Sequence, residues 1–91
     1  MTVTTQESVN ANEQSSLMAF AVSGATTVAA SDTKALIVPF YGNGANLKTQ
    51  VSATYLVTGL TAGGNTFTAK YRTTGGTATW LNRSIIVIPL P

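Results

Sequence analysis

Residues 66–72 alternate without a fault: Phe67, Ala69 and Tyr71 fall on one side, and Thr66, Thr68, Lys70 and Arg72 on the other. Successive side chains of a strand leave on opposite faces, so this period of two predicts a half-buried β-strand. The same pattern runs from Leu47 to Val57, where Leu47, Thr49, Val51, Ala53, Tyr55 and Val57 share one face. Lys48, Gln50, Ser52 and Thr54 share the other, and Leu56 is the one apolar residue that breaks it. Leu17 to Ser23 places Met18, Phe20 and Val22 together, with the small Ala19 and Ala21 opposite. Lys34 to Tyr41 is apolar and rich in β formers; Pro39 cannot donate to a ladder, which predicts an edge strand or a strand end there.

Thr26 to Ala30 and Thr77 to Leu81 read as short strands, and Asn82 as a break before a last strand, Arg83 to Leu90. Within that strand Ile85, Ile86, Val87 and Ile88 are continuously apolar, which predicts cover on both faces, as in the middle of a sheet. Gly24-Ala25, Ser31-Asp32, Gly42-Asn43-Gly44 and Gly63-Gly64-Asn65 are turn or loop signals, and Thr73 to Gly76 reads as a hairpin connection. No segment keeps the apolar period of a helix beyond one turn. The expected fold is all-β: an antiparallel β-sandwich or jelly roll of about six to eight short strands. Residues 1–16, MTVTTQESVNANEQSS, are polar apart from Met1, Val3, Val9 and Ala11. They read as an N-terminal arm that is either disordered or docks by strand addition, ahead of a single β-sandwich domain over residues 17–91.

Composition sharpens this picture. A chain of 91 residues is enough for one domain. A domain of that size buries only about 60–65% of its unfolded surface, so it needs help from disulfides, metals or partners. The chain has no Cys and no His, and its acids are Glu7, Glu13 and Asp32, well apart in sequence. Disulfides are excluded and no metal or cofactor is expected. Charged residues make up 9% of the chain, against about 25% in ordinary domains. Sixteen Thr, seven Ser and six Asn stand in their place. Charge is depleted where proteins meet one another, so a homo-oligomer is expected.

The candidate chemistry is sparse. Nucleophilic or acid–base catalysis needs a nucleophile beside a base, paired carboxylates or a metal, and this inventory predicts no catalytic residue and no enzyme. The glycines of GLTAGG precede a strand, not a helix, which is turn chemistry rather than a phosphate cradle. The net charge of +2 rests on five cations, too few to track a nucleic-acid backbone. Tyr71 also opposes Lys70 and Arg72, the wrong phase for a stacking sheet, so no nucleic acid is expected. No apolar run approaches the ~20 residues of a membrane span, and no basic region precedes an apolar core at the N-terminus. Trp80 is either a core plug or an interface anchor.

Residues 59–90, GLTAGGNTFTAKYRTTGGTATWLNRSIIVIPL, resemble the C-terminal module of phage virion proteins of the tail and capsid surface. The resemblance is carried by GLTAGGNTFTAKYR, by the GGTAT turn and return, and by the closing NRSIIVIPL. The layout is also similar to the end of the tumour-necrosis-factor-like jelly roll, a trimeric fold. The resemblance implies a homo-oligomer, a trimer being favoured, made in the host cytoplasm and placed on the virion surface. A capsid decoration (cement) protein on the major capsid protein is the reading it favours. The alternatives are a tail-fibre or tail-tip domain that binds a host receptor or glycan, and an oligomeric bacterial adhesin module. The interface candidates are Val3 and Val9 of the arm, Tyr41, Trp80, Lys70, Arg72 and Arg83.

Overall fold

The computed structural model describes residues 1–41 and 47–89. It contains β1 (Thr2–Val9), β2 (Ser15–Gly24), a one-turn 3-10 helix (Asp32–Lys34), β3 (Leu36–Pro39), β4 (Thr49–Thr54), β5 (Asn65–Thr73) and β6 (Ala78–Ile86). The strands form two three-stranded antiparallel sheets, ordered β4-β1-β6 and β3-β2-β5. The chain is thus a small all-β sandwich, as its alternation predicts. The expected loop at Gly42-Asn43-Gly44 lies outside the described residues.

Several sequence expectations are corrected, two of them at the level of whole strands. The first concerns residues 1–16. Thr2–Val9 is not an arm; it is the central strand of its sheet, paired with β4 from Thr2↔Thr54 to Glu7↔Thr49 and with β6 from Thr2↔Ile86 to Val9↔Ala78. Val3, Thr5, Glu7 and Val9 all point inward and are buried. The strand looked too polar to fold because it is judged alone. Between two partners most of its backbone is paired, and at the bulge the inward Thr5 hydroxyl donates to the Leu81 carbonyl at 3.1 Å. Hydrogen-bonded polar groups can be buried at little cost.

The second concerns the C-terminal strand. Thr77 to Leu81 and Arg83 to Leu90 do not form separate strands with Asn82 as the gap. They are one strand, β6, bulged at Asn82, whose φ is 51°. β6 lies at a sheet edge, not in the middle. The chain leaves the sheet after Ile86, and Ile86, Val87 and Ile88 are exposed. Thr73 to Gly76 is also not a hairpin turn, because β5 and β6 belong to different sheets. Thr26 to Ala30 forms no strand and only a single bridge, Val22↔Val28.

The other alternations hold. Met18, Phe20 and Val22 of β2 face the core and are buried, with Leu36 and Val38 of β3 beside them. Val3, Met18 and Leu36 form the centre, surrounded by Met1, Val51, Ala53, Tyr55, Ala69, Trp80 and Ile85. Phe20 sits among aromatic rings, 5.6 Å from Tyr55 and 6.3 Å from Phe67 between centroids. Each such side chain contributes about 1.5–3 kcal/mol when fully buried. On the outer face of β2, Leu17 and Ala19 are also buried, because the segment around the 3-10 turn, Ala30 to Asp32, lies over them with Tyr71 and Arg72 nearby. Gly24 ends β2 at φ 98°, and a Cβ there would stand 2.3 Å from the Gly64 carbonyl oxygen, so the loop before β5 can close on β2 only over glycine.

The body is long and thin, 48 × 19 × 17 Å. Its radius of gyration of 14.4 Å exceeds the about 12 Å of a rounded chain this long. Two short sheets therefore leave much of their apolar surface near water.

Candidate interaction surface

The open end of the sandwich is where Met1, the chain beyond β4 and the chain beyond β6 meet. The alternation of β4 continues past its last paired residue, so Tyr55 and Val57 turn inward and Leu56 outward. Leu56 is 70% exposed. The Met1 ammonium donates to the Tyr55 carbonyl at 2.7 Å, and Tyr55 N–H donates back to the Met1 carbonyl at 2.8 Å, which ties the two segments together. The loop before β5 is pinned by Asn65 Nδ2, which donates to the Thr61 carbonyl at 3.0 Å, and by Thr61 N–H, which donates to the Thr26 hydroxyl at 2.8 Å.

These segments enclose a groove of about 520 Å3, with Tyr55, Leu56, Val57, Leu60, Phe67 and Ile88 among its walls. Among the described residues no charged side chain lines it, and the Met1 ammonium there is engaged by the Tyr55 carbonyl. Ile88 is exposed to the same degree as Leu56, and Leu60, Ile86 and Val87 are also exposed around it. Burial pushes the Tyr55 phenol pKa up, in keeping with these apolar surroundings. Ile37, Tyr41, Leu47 and Leu81 are exposed away from this end, but only here do such side chains gather around a groove, and an apolar cluster marks an interaction site more often than scattered residues do.

A second surface adjoins it. The outer face of the β4-β1-β6 sheet presents Thr2, Thr4 and Gln6 between Gln50, Ser52 and Thr54 on one flank and the exposed Ile86, Ser84 and Leu81 on the other. The Thr2 and Thr54 hydroxyls are 2.9 Å apart, and Thr4 donates to the Ser52 hydroxyl at 3.1 Å. These paired positions carry no charge and join a row of hydroxyls to an apolar edge at Leu81 and Ile86.

The residues singled out by sequence do not converge on one site. Val3 and Val9 are core residues with no exposed surface to offer a partner. Tyr41 is 73% exposed but follows β3 at the end opposite the groove. Lys70 and Arg72 line a small cavity of about 170 Å3 on the outer face of β5, where Arg72 pairs with Asp32. Arg83 does not join them. It lies on the other side of that strand, 5.5 Å from the centroid of the Tyr71 ring, and donates to the Tyr71 hydroxyl at 3.4 Å. Tyr71 in turn packs on Trp80 with ring centroids 5.1 Å apart. Trp80 is half-buried and serves the core. The groove residues Leu56, Leu60, Val87 and Ile88 were not singled out. Leu56 carried the readable signal, as the lone apolar residue on a polar strand face.

No family model, curated protein or solved structure matches this chain. Among the described residues there is no cluster of acidic residues that could hold a metal ion, and no helix long and apolar enough to cross a membrane. The arrangement offers apolar contact and neutral hydrogen bonding.

Proposed function

We propose that the protein is a non-enzymatic structural subunit that joins further copies of itself through its apolar end, and that the oligomer lies on a virion surface as a capsid decoration protein. The observation that carries the first half is the largely apolar groove with Leu56 and Ile88 standing in water beside it. Covering such side chains recovers about 25 cal/mol for each Å2 of apolar surface removed from water. A second copy fits this end better than a highly charged partner, because the walls offer mainly apolar contact and the one ion among the described lining residues, the Met1 ammonium, is already held by the Tyr55 carbonyl. Identical ends that meet around an axis give a closed oligomer, and the resemblance to a trimeric jelly roll favours a trimer. A small, elongated body with little core gains most from such contact, since association adds to its stability.

The second half is supported by the resemblance of residues 59–90 to virion surface modules and by the outer face of the β4-β1-β6 sheet, whose paired hydroxyls and exposed Leu81 and Ile86 carry no charge. That face can lie on a flat protein shell without leaving charges unpaired. Many copies, each bridging a joint of the shell, would stiffen it additively.

The test is the mass in solution. The native chain should sediment as an oligomer at high micromolar concentration. Leu56→Asp should sediment as a monomer with an unchanged circular dichroism spectrum, because Leu56 supports nothing inside the fold. A wild-type chain that stays monomeric overturns the apolar-end reading. Particles that carry few copies, or lose no heat resistance when the protein is stripped, overturn the shell reading.

A further inference from the structure

Of the three acids in the chain, Glu13 and Asp32 are exposed and Glu7 is fully buried. Glu7 belongs to the inward set of β1, with Val3, Thr5 and Val9. Its Oε2 accepts a hydrogen bond of 2.9 Å from the Ser16 hydroxyl, and its Oε1 has no partner. The register places Thr49 of β4 and Trp80 of β6 on either side of it. Across the gap, β2 presents Ser16, flanked in register by Val38 of β3 and Thr73 of β5. None of these residues titrates or carries a charge. Further along the inner face of β5 comes Tyr71, and the cation near it, Arg83, is engaged with the Tyr71 ring and hydroxyl.

We propose that Glu7 is a proton-operated lock on the sandwich. With its carboxyl neutral the two sheets close over it at little cost. With its carboxyl charged the fold holds a buried anion with no cation beside it and only one hydrogen bond. The inference does not depend on how, or whether, the protein assembles.

Burial pushes the Glu7 carboxyl up from 4.5 to about 7, and the Ser16 hydrogen bond offsets part of that rise. The folded state therefore keeps its proton after the unfolded chain has lost it. The stabilisation is fully present below pH 4.5, declines as pH rises, and is gone once the pH has passed about 7. Trp80 is placed to report the change. Its Nε1 is the only unpaired buried side-chain donor among the described residues, and it belongs to the residue that faces Glu7 across the β1–β6 pair. Trp80 is also the chain's single tryptophan, so its emission reads this site alone.

The experiment is a pH titration of the full chain and of Glu7→Gln, which keeps the shape and the acceptor for Ser16 but cannot ionise. Between pH 4 and pH 8 the folding equilibrium constant of the wild type, relative to the variant, should fall about 200-fold, or about 3 kcal/mol at 1.36 kcal/mol per tenfold. The wild-type tryptophan emission should shift with a midpoint near 7, and that of the variant should not. Parallel stability curves across this range overturn the proposal. Should the variant fail to fold, carbon-13 carboxyl spectra of the wild type decide, because only Glu7 and Glu13 contribute glutamate signals. One signal titrating near 7 supports the lock, and two titrating in the ordinary carboxylate range overturn it.

Discussion

At Asn82 the backbone turns left-handed, with φ 51°, and one extra residue enters β6 opposite Thr5. That extra residue resets the strand's phase. Trp80 and Ile85 are five positions apart in sequence, so an unbroken strand would send them to opposite faces. With the bulge both pack on the core, facing Glu7 and Val3 respectively. Asn tolerates this conformation and a β-branched residue does not. Asn82→Val should lower stability by about 1–2 kcal/mol, measured by urea denaturation, while Asn82→Gly should leave it within a few tenths. The sequence marked Asn82 as irregular. It did not show whether the irregularity ended a strand or bent one, because that depends on whether β1 lies alongside to hold both halves.

Among the elements, β1 carries the largest difference between its sequence and its place. Alternation was legible in β2, β4 and β5 because apolar residues marked one face. In β1 the inward set is Val3, Thr5, Glu7 and Val9, half of it polar, and no apolar stripe separates it from a solvated segment. Its position follows from pairing: β4 and β6 have no other neighbour in their sheet. Removal of residues 1–9 should therefore abolish the cooperative thermal transition and the dispersion of amide signals in a proton–nitrogen spectrum. A truncated chain that keeps both would mean that β4 and β6 can pair without β1. The misreading of Arg83 to Leu90 has a related cause. A continuous apolar run is the mark of a strand covered on both faces, but the same residues at a sheet edge and in the segment after it leave Ile86, Val87 and Ile88 in water.

For the whole molecule, the scarcity of charge sets how it can associate. Arg72 and Asp32 form the only salt bridge among the described residues, and both side chains are more than half exposed, so the pair contributes little to stability. An association driven by the apolar end should be insensitive to ionic strength, since screening acts on charges and leaves apolar burial untouched. Sedimentation at low and at 0.5 M salt should give the same dissociation constant to within about twofold; a tenfold weakening would point to ionic contacts instead. The sequence by itself determined the all-β class, the faces of β2, β4 and β5, and the lack of cysteine, histidine and paired acids, since these are set by local periodicity and by the inventory of side chains. Only the tertiary structure decided that Thr2–Val9 is a central strand, that Glu7 lies between the sheets, and that Leu56 and Ile88 stand around one groove. Each of those depends on which distant segments pair, and that choice belongs to the backbone hydrogen bonds of the whole chain rather than to the pattern of any one stretch.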